Sequence, residues 1–330
     1  MKTFKCLDLF AGTGGIAKGF ESNGFKSKYA NDIEESTFEI YKLNFPKTNF
    51  ILEDINKLST DKFYNYDVLL AGFPCQAFSI AGYRQGFEDQ KGRGNLFFEI
   101  ARFLKETKPK AFLLENVKNL QRHDKGKTFK IICDALEDLN YSFTYKVMNS
   151  KEFGNLPQNR ERIYVVGFDN VEMLNNFSFP DPVKLSVNFR DLLEKKVDKK
   201  YYYTEKSYPK IYSKIKAHIN SLNTVYQWRR KYVRANKSGV CPTLTANMGT
   251  GGHNVPLILD SKGIRKLTPR ECFNMQGFPK NFKIPSSLSD TKLYKIAGNS
   301  VPVSVVKRIA KNMKKVLEGK IIKGSQINLL

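Results

Sequence analysis

The first 170 residues alternate short apolar runs with amphipathic segments, and this alternation leaves few folds open to the chain. Short apolar runs bounded by turn residues are typical of buried strands. Strands that alternate with helices form a mostly parallel sheet with helices on both faces. The predicted strands are residues 4–10, 25–30, 50–52, 67–72, 111–115, 141–148 and 163–168. The sequence therefore predicts an α/β fold with a doubly wound, mostly parallel sheet.

Segments between and after these strands have helical periodicity. Residues 95–107 and 128–139 each place apolar side chains on one face, as helices that pack on a sheet do. Residues 303–317 repeat the pattern, and we expect this last helix to return to the first domain. The last two strands leave no room for a helix between them, so we expect an antiparallel unit at one edge of the sheet.

Composition changes near Pro180, beyond which the chain is basic, aromatic and rich in turn residues. We predict a main domain of residues 1–180 plus 290–330 and a smaller domain of residues 181–289. The first 180 residues carry 25 basic and 23 acidic side chains, whereas the remainder carries 30 and 9. This asymmetry favours a polyanionic partner held by the second half. A general excess of solubilising lysines is the alternative.

Cysteine, histidine and apolar content exclude several classes of protein. The five cysteines and three histidines are scattered, so we expect neither a disulfide framework nor a metal site. No segment reaches the roughly 18 apolar residues of a membrane span, and no signal-length apolar run begins the sequence. We therefore expect a cytoplasmic protein that does not bind a membrane.

Glycines and acids follow the first three predicted strands. Gly12–Gly15 form a turn whose backbone amides can approach a ligand. Asp32 ends the second strand and Asp54 follows the third, so both carboxylates lie at one edge of the sheet. Together these residues suggest a cofactor that contains a nucleoside. Taken singly, each acid suits a helix N-cap and the glycines suit a tight turn.

Cys75 follows an apolar strand and a proline, a position where α/β enzymes present reactive side chains. A structural cysteine more often lies inside the apolar run. Glu115 ends the fifth strand and would share the same crevice. Because burial disfavours a charged carboxylate, Glu115 is a candidate proton donor to a heterocyclic base. Residues 76–94 are rich in glycine, and we expect a lid there, with a loop without function as the alternative.

Arg160 and Arg162 lie two residues apart, on one side of a predicted strand. Guanidinium groups in this arrangement suit recognition of a phosphate or of a carbonyl on a base. A surface ion-pair ladder would have the same spacing.

These motifs, in this order, resemble the DNA 5-cytosine methyltransferase family of bacterial restriction-modification type. The matching blocks are DLFAGTGG (8–15), the acids Asp32 and Asp54, GFPCQAFS (72–79), GNLFFEIAR (94–102), ENV (115–117), QNRERIY (158–164), RKLTPRECFNMQGFP (265–279) and AGNSVPV (297–303). The resemblance covers nearly the whole chain except residues 180–260. It implies a Rossmann-like S-adenosylmethionine-dependent methyltransferase fold with a smaller DNA-recognition domain.

The resemblance implies S-adenosylmethionine as cofactor, S-adenosylhomocysteine as product, and no metal. The ribose would lie on Asp32 and the adenine near Ile33, Asp54 and Ile55. The other implied cofactor-binding residues are Phe10, Gly12, Thr13, Gly14, Gly15, Gly72, Pro74, Leu96, Asn299, Ser300 and Val301.

The resemblance also implies a covalent mechanism. Cys75 would attack carbon 6 of a cytosine that is flipped out of the duplex. Glu115 would hold or protonate ring nitrogen 3, Arg162 would contact the base carbonyl, and Arg160 would lie nearby. Carbon 5 is too weak a nucleophile until a thiolate has added to the ring.

The basic second half is expected to read a short sequence in double-stranded DNA. Arginine and glutamine make bidentate contacts to guanine and adenine edges, and glycines allow close backbone approach. The candidate DNA-binding residues are Gln76, Ser79, Arg84, Gln227, Arg229, Arg230, Thr243, Leu244, Asn247 and Gly251.

We expect a monomer, with a cognate restriction endonuclease as a candidate partner acting on the same DNA site. One alternative is a tRNA cytosine-5 methyltransferase of the same superfamily, against which the loop after Cys75 and the long basic region argue. A DNA-binding module without activity is the other alternative, and the intact Cys75, Glu115, Arg160 and Arg162 argue against it.

Overall fold

The computed structural model describes residues 2–74, 96–236, 238–251 and 253–320. Contacts between Cα atoms divide the chain into two compact units. The large unit comprises Met1–Met148, Glu161–Asp181 and Val305–Leu330, and the small unit comprises Asn149–Arg160 and Pro182–Ser304. The domain boundaries expected from the sequence stay a prediction, because compactness does not show that either part folds alone.

A seven-stranded sheet forms the large unit. Its strands are β1 (Lys5–Leu9), β2 (Lys26–Asp32), β3 (Asn49–Leu52), β4 (Val68–Gly72), β5 (Ala111–Val117), β6 (Ser142–Asn149) and β7 (Glu161–Phe168). They lie in the order β3-β2-β1-β4-β5-β7-β6. The pairs from β3 to β5 are parallel, and β7 is antiparallel to β5. The predicted doubly wound sheet is confirmed, with every strand within two residues of its expected bounds and β6 and β7 together at one edge. The expectation that no helix fits between these two strands is wrong, because the short helix Ser150–Phe153 lies between them along the chain.

Helices cover the large sheet and bury its apolar strands. They are α1 (Gly15–Glu21), α2 (Glu35–Asn44), α3 (Leu96–Thr107), α4 (Lys127–Asp138), α6 (Val171–Asn175) and α10 (Val303–Leu317). Phe97 and Leu104 of α3 share one core with Ile132 and Leu136 of α4. A Cβ on Gly19 of α1 would lie 2.6 Å from a methyl carbon of Val306. This contact with α10 confirms that the last helix returns to the first part of the chain.

The small unit contains a four-stranded sheet that the turn-rich sequence did not predict. Its strands are β8 (Val225–Arg229), β9 (Tyr232–Asn236), β10 (Leu257–Asp260) and β11 (Gly263–Lys266), in the order β11-β10-β8-β9. Its helices are α5 (Ser150–Phe153), α7 (Pro209–His218), α8 (Pro269–Met275) and α9 (Asp290–Asn299). Arg265 and Glu271 are buried and share two hydrogen bonds of 2.8 Å. This bidentate pair joins β11 to α8.

Gly167 of β7 lies directly opposite Phe112 of β5, and a Cβ there would lie 2.2 Å from the Phe112 ring. We expect Gly167→Ala to lower the free energy of unfolding by about 1–3 kcal/mol, because an added methyl overpacks the core. Urea unfolding of the full chain measures this. The double variant Gly167→Ala/Phe112→Leu should lose less than the sum of the single changes, and an unaltered urea midpoint in Gly167→Ala would contradict the expectation.

Candidate functional site

The glycine-rich turn between β1 and α1 bends through three residues of positive φ. The φ angles are 53° at Phe10, 53° at Gly12 and 77° at Gly14. A Cβ on Gly14 would lie 2.3 Å from the ring of Phe45 and 2.9 Å from the ring of Tyr41. These two rings, with centroids 4.4 Å apart, form an aromatic floor under the turn. This bend contains all five predicted cofactor residues of the turn, which are Phe10, Gly12, Thr13, Gly14 and Gly15.

Asp32 closes β2 beside this turn. One of its carboxylate oxygens accepts the Gly12 N–H at 2.8 Å, and the other accepts the Glu34 N–H at 2.9 Å. Burial raises the pKa of Asp32, and the hydrogen bonds from these amides oppose the shift. Ile33 follows with 65% of its surface exposed, which places apolar surface next to the carboxylate.

Asp54 follows β3 and caps the short 3-10 helix Ile55–Lys57. Its side chain accepts the Asn56 N–H at 3.0 Å. Asp54 therefore occupies a helix N-cap, the role that the sequence analysis gave as the alternative to cofactor binding. Ile55 is buried.

Arg102 of α3 holds this short helix and was missed as a site residue by the sequence analysis. Its guanidinium donates to the carbonyl of Ile55 at 3.2 Å and to that of Leu58 at 3.0 Å. It also pairs with Glu99 at 2.6 Å. Arg102 lay within a matching motif, but its helical position did not indicate contacts with residues that lie 47 and 44 positions earlier along the chain.

Asp8, in the middle of β1, is a buried acid to which the sequence analysis gave no role. The Tyr41 hydroxyl lies 3.4 Å from its carboxylate, and the Ser27 hydroxyl lies 2.8 Å from that of Tyr41. Burial, followed by the negative charge of Asp32, raises the pKa of Asp8 well above its usual range. The same tyrosine therefore contacts both the glycine turn and the buried acid.

Glu115 and Arg162 meet on neighbouring strands. Val117 is opposite Arg162 and Glu115 is opposite Tyr164, so Glu115 and Arg162 are diagonal neighbours on one face. The Arg162 Nε lies 3.1 Å from Glu115 Oε1, and the two side chains are only 13% and 9% exposed. The guanidinium favours the charged carboxylate, whereas burial disfavours it. The structure thus brings together two of the four predicted catalytic residues.

The strand that leads to Cys75 is held next to Glu115. Gly72 of β4 is opposite Glu115 in the parallel register. The Asn116 side-chain amide donates to the Phe73 carbonyl at 2.9 Å, and Pro74 is exposed. Cys75, Gln76, Ser79, Arg84 and the predicted lid (76–94) lie outside the described residues, and Leu96 begins α3 immediately beyond them.

Arg160 is not part of β7, which begins at Glu161, so the expected pairing of Arg160 and Arg162 on one side of a strand is absent. Arg160 is 1% exposed. Its guanidinium donates to the carbonyl of Leu244 at 2.6 Å, of Gly298 at 3.0 Å and of Ser300 at 2.7 Å. Within the small unit, Arg160 therefore ties together two backbone segments that are distant in sequence.

The predicted cofactor residues Asn299, Ser300 and Val301 lie at the end of α9. Asn299 is exposed, whereas Ser300 and Val301 are buried. Ser300 Oγ donates to the Ile296 carbonyl at 3.0 Å. The assignment of these three residues to the cofactor stays a prediction.

The predicted DNA-binding residues of the small unit fall into two groups. Gln227, Arg229 and Arg230 belong to the hairpin β8–β9, with Arg230 in its turn. The second group, Thr243, Leu244, Asn247 and Gly251, lies in or next to the 3-10 helix Ala246–Thr250. Leu244 is 1% exposed and its amide is bonded to Gln158, so its observed contacts are internal. Asn247 and Gly251 are exposed.

The described ranges contain no group of three or more His, Cys, Asp or Glu side chains arranged for a metal ion. Over the same ranges, no helix combines the length and apolar character needed to cross a bilayer.

The order of the strands in the sheet and the glycine turn with Asp32 beside it are those of the Rossmann-like α/β fold of S-adenosylmethionine-dependent methyltransferases. The sequence matches the family model for C-5 cytosine-specific DNA methylases over residues 4–315. The chain therefore belongs to this family and is a DNA (cytosine-5-)-methyltransferase.

Individual relatives agree with this membership. The chain is 54% identical over 310 residues to Type II methyltransferase M.Bsp6I of Bacillus sp. (strain RFL6), covering 93% of this chain and 97% of that one. It is 40% identical over 335 residues to Type II methyltransferase M.HaeII of Haemophilus aegyptius, covering all of both chains. The crystal structure of S. pombe Dnmt2 methyltransferase superposes with a TM-score of 0.73 at 20% identity, over 96% of this chain and 99% of that one. This last similarity concerns the fold alone.

Burial raises the pKa of Asp8 in the folded chain above that in the unfolded one, so we expect its contribution to make stability fall as pH rises. Between the two values the folded state holds a proton that the unfolded chain has released. From pH 5 to pH 8 the free energy of unfolding should fall less in Asp8→Asn than in the parent chain. The difference should be about 1.4 kcal/mol for each unit by which folding raises the pKa of Asp8. Urea unfolding across this range measures the difference.

Asp67 offers a control of opposite sign, because hydrogen bonds from Lys110 and Lys5 outweigh burial and lower its pKa. Asp67→Asn should be destabilising at pH 7, and its deficit should shrink as pH falls through the folded-state pKa. Parallel profiles for the parent chain and Asp8→Asn would contradict a raised pKa at Asp8.

Proposed function

We propose that this enzyme methylates carbon 5 of a cytosine flipped out of a short, specific duplex DNA sequence, with S-adenosylmethionine as the methyl donor and Cys75 as the nucleophile. Family membership supports the cytosine and the DNA. The observation that carries the mechanism is the buried Glu115–Arg162 pair. Glu115 lies on the strand beside β4, opposite Gly72, and Gly72 is three residues before Cys75. An acid–guanidinium pair suits a base that presents a ring nitrogen next to a carbonyl.

The residues around the glycine turn suit a nucleoside cofactor. Asp32 offers a carboxylate to ribose hydroxyls at the end of β2, and the exposed Ile33 offers an apolar surface to adenine. Gly14 leaves no room for a Cβ against the Phe45 and Tyr41 rings, so this bend requires glycine at that position. S-adenosylmethionine supplies an electrophilic methyl group when bound, and S-adenosylhomocysteine is its product. We propose that Phe10, the glycine turn, Asp32, Ile33 and the Asp54–Ile55 segment hold it.

Each catalytic residue then has a distinct role. The Cys75 thiolate adds to carbon 6, which makes carbon 5 nucleophilic. Glu115 holds the proton at ring nitrogen 3, and Arg162 orients the Glu115 carboxyl group and contacts the base carbonyl. After methylation, loss of the carbon 5 proton and departure of the thiolate restore the enzyme. Arg160 acts as a positioning residue in this scheme, because its guanidinium already binds three backbone carbonyls.

We further propose that the enzyme acts as a monomer and as the modification partner of a restriction endonuclease that acts on the same site. The Type II designation of the relatives supports this biological role. Transfer to tRNA is the alternative, and it is distinguished by the substrate that accepts the methyl group.

Transfer of a tritiated methyl group from S-adenosylmethionine to duplex DNA tests the proposal directly. We expect the chain to label DNA and not tRNA, and bisulfite sequencing of the product to locate the modified cytosine. Cys75→Ser should abolish transfer and leave cofactor affinity, measured by calorimetry, unchanged. Transfer that persists in Cys75→Ser would exclude the thiolate mechanism, and preferential labelling of tRNA would exclude the DNA substrate.

Removal of the acid at position 115 should slow the chemical step. We expect Glu115→Gln to lower kcat by about 10²- to 10⁴-fold, the usual contribution of a general acid or base. KM for DNA should change little. Glu137→Gln, an exposed residue of α4, is the matched control and should keep the parent kcat. Equal kcat values in the two variants would show that Glu115 takes no part in proton transfer.

A further inference from the structure

The hairpin β8–β9 has an open face that carries four polar side chains. Gln227 is opposite Arg234, and Arg229 is opposite Tyr232. Residues that pair across antiparallel strands, and residues two apart along one strand, share a face of the sheet. We call these four residues the ribbon face. Arg229, Tyr232 and Arg234 are exposed, and Gln227 is half-buried.

The other face of the same hairpin is covered. Tyr226 and Trp228 point away from the ribbon face and pack in a core with Ile215 and Ile219, at the end of α7. β9 lies at the edge of the four-stranded sheet. Within the small unit, α7 therefore supports the hairpin from one side and leaves the ribbon face uncovered.

Charge around the hairpin identifies its partner as a polyanion. Residues 206–259 contain nine Lys or Arg and no Asp or Glu. No salt bridge joins Arg229 or Arg234 to a carboxylate among the residues that the structure describes. The two-residue turn is Arg230–Lys231, with φ of 58° at Arg230, a position where hairpins normally carry glycine or asparagine. Three consecutive basic residues thus lie at the exposed end of the hairpin.

Its dimensions match the major groove of duplex DNA. A two-stranded ribbon fits a groove about 12 Å wide. Residues two apart along a strand are separated by about 6.6 Å, close to two base-pair steps of 3.4 Å. The Gln227–Arg234 and Arg229–Tyr232 pairs therefore have the spacing of bases two steps apart. Single-stranded nucleic acid is less suited, because its binding platforms use several stacked aromatic rings and the ribbon face has only Tyr232.

We propose that the ribbon face enters the major groove of the DNA substrate and that Arg229 and Arg234 each read one guanine. This inference rests on the proposed function and deepens it. Arg234, which the sequence analysis did not select, becomes a specificity-determining position together with Tyr232. Arg230 and Lys231 at the turn contact phosphates. Arginine suits guanine because its two N–H donors match the O6 and N7 acceptors of the base.

Substitution of lysine for each arginine separates base reading from charge. Lysine keeps the positive charge and loses the bidentate fork. The parent chain, Arg229→Lys and Arg234→Lys are incubated with duplexes of randomised sequence, and bisulfite sequencing gives the base preference at each position. We expect each variant to lose about 10- to 100-fold of guanine preference at one position and to keep the salt dependence of binding. Lys210→Ala, on exposed α7, removes a charge away from the ribbon face and should keep every base preference.

The same pool is also selected by binding alone, so that reading and chemistry are scored separately. If the parent chain binds a preferred sequence without methylating it, the proposed function is wrong. The binding preferences of the variants would still test the ribbon face. The proposal would be overturned if both lysine variants kept every base preference and if Arg229→Ala and Arg234→Ala bound all duplexes more weakly by the same factor. That result would show that the two arginines contact phosphate only.

Discussion

The pairing of β4, β5 and β7 is the constraint on which the candidate site depends. Gly72, Glu115 and Tyr164 lie in one row across the three strands, and this row places Arg162 diagonally from Glu115. A slip of one residue would turn the Glu115 side chain to the opposite face of the sheet and separate the ion pair. The buried runs of β4 and β5 stabilise this register, because both faces of these strands are covered by apolar side chains. The geometry of the candidate site is thus a consequence of core packing.

The proposed cofactor pocket depends on contacts made by side chains that pack against its backbone. The rings of Tyr41 and Phe45 leave room only for glycine at position 14, and the Tyr41 hydroxyl approaches the buried Asp8. Arg102 holds the segment that follows Asp54 through two backbone carbonyls. These supporting side chains do not need to touch a ligand. They hold the bend, the carboxylate of Asp32 and the short 3-10 helix in position for one.

Two buried arginines organise the small unit. Arg160 binds three carbonyls from separate segments, and Arg265 makes a bidentate pair with Glu271. Removing either partner of a buried pair leaves an uncompensated charge, so such residues are structural anchors whether or not they touch substrate. Arg160 and Arg265 are buried, whereas Arg229 and Arg234 of the hairpin are exposed.

The sequence by itself determined the doubly wound sheet, because each strand was a local apolar run and each main helix had its own periodicity. It also determined the family, because the motifs occur in a single order. Asp32, Glu115 and Arg162 could be selected because each lies at or near the end of a predicted strand. Only the tertiary structure decided that Arg162 pairs with Glu115 whereas Arg160 binds carbonyls, since two arginines two residues apart look alike until the first residue of the strand is known. It also decided the ribbon face and the contacts of Arg102. These depend on register and on packing between segments distant along the chain, which local residue patterns do not encode.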